Sequence, residues 1–113
     1  MSTEAGIAFP LLPGKRDALD RLVRALTGER KSEYDTAQAT VLRESWFVQS
    51  TPQGDLIIVH FDAPDVEAVF AGLATSQEPF DVWFRDQVLD ITGVDLSQPS
   101  PGTSECVFQW RRK

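Results

Sequence analysis

The chain has 113 residues, enough for one domain over 1–113 and too few for two. A chain of this length buries roughly 65% of the surface its unfolded form exposes, so its core needs no disulfide or metal. The formal net charge of −6, from 17 acidic and 11 basic residues, argues against a nucleic-acid partner, which takes a surplus of Lys and Arg to displace counterions.

Ile7 to Leu12 reads as a first strand, closed by Pro13-Gly14. Leu19, Leu22, Val23 and Leu26 then follow the spacing of one apolar helical stripe, and Gly28 stops that helix. Glu29 to Gln38 is polar, and Ser32 with Asp35 three residues on suggests a short helix containing Tyr34. Val41–Gln49 and Asp55–Phe61 are strand-like runs around the polar turn Ser50-Thr51-Pro52-Gln53-Gly54, a hairpin signal. Leu56-Ile57-Ile58-Val59 is apolar at successive positions, so both faces of that strand must be covered.

Asp62, with Pro64 after it, is placed to cap a helix whose stripe is Val66, Val69, Phe70 and Leu73. Ser76 and Pro79 open another, with Phe80, Trp83, Phe84, Val88 and Ile91 on one side and Gly93 as its end. Ser97 to Gly102 is a Pro-rich loop, and Cys106–Trp110 is expected as the last strand, with Cys106 a small buried hydrophobe. The ordered core is expected over about residues 6–110, with a solvated basic tail at Arg111-Arg112-Lys113.

The order β, α, β, β, α, α, β predicts an α+β fold: a ferredoxin-like split βαβ with a four-stranded antiparallel sheet and one extra helix before the last strand. Helices can cover one face of such a sheet. The other carries either Leu56 and Ile58 or Ile57, Val59 and Phe61, and a homodimer through this open face is the expected way to bury it.

Glu44–Gln49 with Gly54–Val59 resembles an uncharacterised bacterial family of the dimeric α+β barrel superfamily, and Ser76–Phe84 and Thr92–Leu96 extend the likeness. It covers most of the chain, from about Gly6 to Trp110. The resemblance implies a ferredoxin-like protomer whose open sheet face packs on a second copy. Superfamily relatives include antibiotic-biosynthesis monooxygenases, haem-degrading enzymes and muconolactone isomerases, so the fold alone does not give the function.

If the hairpin pairs Gln49 with Asp55, Glu44 falls opposite His60, and Trp46, Val48, Leu56 and Ile58 share their face. A carboxylate beside an imidazole orients the ring and favours its protonated form, so His60 and Glu44 are the candidate proton-handling pair. The plainer alternative is a Glu–His pair on the rim, because a slip of one residue separates the two. Trp46 and Trp83 are candidate walls of a ligand pocket, with Trp110 a third large aromatic, and Tyr34 and Gln49 are candidate polar groups orienting a ligand.

One Cys and one His supply no metal-ligand set, nothing surrounds His60 that marks a haem site, and the glycines are isolated rather than in a phosphate-binding loop. No metal or cofactor is therefore expected. The monooxygenase relatives tend to combine Asn, Trp and His in the pocket, whereas this chain contains no Asn. The start lacks the pattern of a signal peptide and no apolar run is long enough for a membrane span, which gives no membrane partner and a cytoplasmic location as expectations. The function expected is binding of a small apolar molecule between sheet and helices. The alternative is a cofactor-independent monooxygenase or isomerase acting on an aromatic or apolar substrate.

Overall fold

Three strands and four helices assemble into an α+β fold. The computed structural model describes residues 3–98 and 104–112. In chain order these form β1 (Thr3–Leu11), α1 (Arg16–Thr27), α2 (Lys31–Ala37), β2 (Arg43–Thr51), β3 (Gly54–Ala63), α3 (Val66–Thr75) and α4 (Pro79–Thr92). The sheet is antiparallel with β3 between β1 and β2. Pro10 sits in β1, which pairs on one side only among the described residues; an edge strand tolerates the missing N–H donor.

The two faces of β3 are unlike. Ile57, Val59, Phe61 and Ala63 are buried, while Leu56, Ile58, His60 and Asp62 are half-exposed. The buried set faces the helices and joins Leu19, Leu22 and Leu26 of α1 and Phe80, Phe84 and Ile91 of α4 in one core. Ile7 and Phe9 of β1 and Trp46 of β2 pack against it from the same face. On the opposite face, Phe47 lies across from Ile58 and is 58% exposed.

α1 and α4 stop at the glycines expected from the sequence, Gly28 and Gly93. Gly93 ends α4 in the left-handed region, φ 76°, with its N–H donating to Leu89 O at 2.8 Å. Pro79 opens α4. At α3 the cap is Asp65 rather than Asp62: its Oδ1 accepts from the N–H of Ala68 at 3.0 Å. β3 runs on to Ala63, so Asp62 is still held in the ladder opposite Glu4 and Arg43. α2 begins at Lys31 without a side-chain cap, so the expected Ser32–Asp35 cap does not form.

The expected fourth strand is the main difference. Residues 104–112 carry no strand pairing and are exposed throughout, Phe108 at 80%. Cys106 is exposed with them rather than buried. This segment touches β1 through side chains: Ser104 Oγ accepts from Gly6 N at 3.1 Å, and the Gln109 amide donates to Glu4. Side-chain contacts of that kind leave its backbone outside the ladder, and the sheet of the described residues has three strands. The loop expected at Ser97–Gly102 lies outside the described residues from Pro99 onward, as do Lys113 and the Met1-Ser2 start.

Candidate functional site

The helices do not fill the space above the sheet. A cavity of about 260 Å³ remains between them. Trp46, Val59 and Phe61 line it from the sheet, Phe70 and Leu73 from α3, and Phe84 from α4. An apolar cavity of about 150 Å³ already admits benzene, so this one has room for a small aromatic molecule.

Its polar corner is built by two short-range spacings. Tyr34 and Gln38 are four residues apart at the end of α2 and so share a side. Glu44 and Trp46 are two apart on β2 and so share a sheet face. The two pairs meet at the Glu44 carboxylate. Tyr34 Oη donates to Glu44 Oε1 at 2.5 Å, the Gln38 amide donates to the same oxygen, and Trp46 Nε1 donates to Oε2 at 2.7 Å. Gln38 also donates to Tyr34 Oη at 2.9 Å. A carboxylate accepts at about four positions, and three are taken here.

Every donor to this carboxylate is neutral. Burial, reinforced by the charge and hydrogen bond of Glu44, pushes the Tyr34 phenol far above its ordinary range; the Gln38 bond opposes this weakly. Tyr34 is therefore held as a neutral donor. Its ring packs on Phe84 and Phe80, with centroids 5.7 and 6.2 Å away. A second carboxylate, Asp81, also lines the cavity and accepts from Ser76 Oγ at 2.6 Å.

Three of the candidate residues, Tyr34, Glu44 and Trp46, therefore come together, and three do not. The hairpin register is one residue away from the pairing supposed from sequence. Thr51 lies opposite Gly54 and Gln49 opposite Leu56, so Glu44 faces Phe61 and His60 faces Ser45. The cause is a tight Pro52-Gln53 turn, in which Thr51 Oγ1 donates to Gly54 O at 2.6 Å and accepts from Gln53 N at 3.2 Å. Because side chains alternate, that single step puts Glu44 and His60 on opposite sides of the sheet. The carboxylate beside His60 is that of Glu4, 3.6 Å from Nε2, on the open face.

Gln49 is exposed on that same open face. Trp83 is half-buried on α4 outside the cavity wall, against Phe80 at 5.5 Å and beneath the Arg30 guanidinium at 4.1 Å. Trp110 lies exposed in the C-terminal segment. Sequence reasoning overlooked Gln38 and Asp81. The i,i+4 spacing of Tyr34 and Gln38 is the signal that points to the first; nothing in the sequence singles out the second.

Among the described residues no group of three or more His, Cys, Asp and Glu side chains is placed to hold a metal ion, and no helix is long and apolar enough to cross a membrane. Comparison with protein-family models, with curated proteins and with solved structures finds no match to this chain in any of the three.

Proposed function

We propose that this chain is a small-molecule-binding domain that takes its ligand between sheet and helices and works as a homodimer through its open sheet face. The cavity of about 260 Å³ carries the reading: its walls are mainly apolar, and Tyr34, Gln38 and Trp46 converge on Glu44. A cytoplasmic location belongs to the same reading.

The test uses Leu73, which lines the cavity and packs against the core. Leu73→Trp adds side-chain volume at that wall. Calorimetric titration with phenethyl alcohol is expected to give binding in the native protein and none in a folded Leu73→Trp. Equal binding by both would place the ligand elsewhere and sink the proposal.

The finer architecture, a ferredoxin-like four-stranded protomer in a dimeric α+β barrel, is part of the proposal. Two observations support it. The strand order leaves the outer edge of β1 unpaired among the described residues, and the contacts of residues 104–109 fall on β1 at Gly6 and Glu4. Addition of Cys106–Trp110 at that edge gives the ferredoxin-like order. For the dimer, the support is the open face itself, where Phe47, Leu56 and Ile58 lie together with no described element over them.

An isomerase is the second reading, and one observation favours it: Glu44, a proton acceptor, stands at the wall of an apolar space large enough for a substrate. The proton-handling pair of this reading is Glu44 with Tyr34, not Glu44 with His60. Deuterium uptake by a bound ketone, lost in Glu44→Gln, is its expected mark.

A further inference from the structure

The charges around the cavity are one-sided. Among the described residues that line it, the acidic side chains are Glu44 and Asp81, and no Lys, Arg or His lines it. Two guanidinium groups of the surrounding helices are engaged elsewhere. Arg30 lies over the Trp83 ring, and Arg85 donates to the carbonyls of Leu73 and Ser76 at 2.6 and 2.8 Å. Glu44 is held by three neutral donors and forms no ion pair among the described residues.

A half-buried carboxylate without a counter-ion, against an apolar wall, is a poor neighbour for an anion and a good one for a cation. Fatty acids and phosphate esters are disfavoured on this ground. The aromatic rings of Trp46 and Phe84 line the same cavity, and aromatic faces attract ammonium groups. Oε2 accepts one hydrogen bond, from Trp46, which leaves it an open acceptor position for a ligand N–H.

We infer that the cavity selects a small aromatic or apolar amine, its ammonium group paired with Glu44 and its apolar body held among Trp46, Phe84 and the β3 side chains. This specificity rests on the small-molecule-binding reading above, and goes beyond it in naming the ligand class.

Three probes of one shape test it: phenethylamine, phenethyl alcohol and phenylacetate, titrated into the native full chain at neutral pH and followed by calorimetry. The amine is expected to bind at least tenfold more tightly than phenylacetate, with the alcohol between them. Glu44→Gln keeps the shape of the side chain and removes its charge; it is expected to bring the amine down to the level of the alcohol. Binding of the alcohol with the amine no tighter than phenylacetate overturns the inference and leaves the binding reading standing. Failure of all three probes at millimolar concentration overturns both. Should Glu44→Gln not fold, the native protein's own ranking of the three probes still decides, and a preference that survives in a folded Glu44→Gln overturns the role given to Glu44.

Discussion

Replacing Tyr34 with Phe isolates the polar corner of the cavity from its packing. The ring stays against Phe80 and Phe84, and only the hydroxyl is lost. That hydroxyl donates to the Glu44 carboxylate, and a hydrogen bond to a charged group contributes about 1.5–3 kcal/mol. Gln38 still donates to the same oxygen, and the phenylalanine has no hydroxyl to desolvate, so the net cost should be about 1–2 kcal/mol. In urea unfolding with a slope of about 1.5 kcal/mol per M, the midpoint falls by roughly 1 M.

The same substitution should change the alkaline limb of stability. Burial and Glu44 hold the Tyr34 phenol above its ordinary value, which is 10.0. Below that value both folded and unfolded chains keep the proton, and the contribution is fully present. Above it the unfolded chain releases the proton while the folded chain keeps it, so stability declines by up to about 1.4 kcal/mol per pH unit from this group. Tyr34→Phe lacks this decline. Tyr34 is the one tyrosine in the chain, so tyrosinate absorption reports it alone. Native protein should show no tyrosinate until it unfolds. A tyrosinate signal near pH 10 in the folded state, or a Tyr34→Phe as stable as the native chain, would refute the Tyr34–Glu44 contact.

Two further outcomes follow from the fold. Phe47→Glu, on the open face, should yield a monomer by light scattering at micromolar concentration while the cavity on the other side keeps its ligand affinity; a dimer unaffected by the charge would move the interface elsewhere. Gly72→Ala should stabilise the chain by about 0.5–1 kcal/mol in urea unfolding, because it replaces a glycine inside α3 where a Cβ has free space; destabilisation would mean the wall there is closed.

The long helices α1 and α4 were readable from spacing alone. Leu19, Leu22 and Leu26 of α1, and Phe80, Phe84 and Ile91 of α4, are the buried stripes that the sequence pattern names. The hairpin was also readable, but its register was not, and register decides the site. A turn rich in Thr, Pro, Gln and Gly permits more than one loop length, and each change of one residue exchanges the faces. A signal was nevertheless present. The supposed pairing sends Ser45 and Gln49 to the side of Ile57, Val59 and Phe61, whereas the observed one gathers Ser45, Gln49 and His60 on the open face. Counting polar residues per face favours the second.

Glu44 was legible as a functional candidate, yet its partner was not. The sequence offers His60 as the obvious neighbour, while the actual neighbours, Tyr34 and Gln38, come from a short polar helix with no buried residue of its own. A helix held by tertiary contacts rather than by an apolar stripe leaves little trace in periodicity. The C-terminal strand was expected from the alternation of Cys106, Phe108 and Trp110, but alternation specifies faces and supplies no partner edge.

The central claim is an open cavity beside Trp46, and the indole N–H resonances of the three tryptophans test it most directly. In an NMR titration with phenethyl alcohol, the Trp46 resonance should shift in a saturable way, since its indole lines the cavity and donates to Glu44, while Trp110, exposed in the C-terminal segment, should stay in place. A titration in which no resonance shifts, or in which Trp110 alone responds, would contradict the cavity as the binding site.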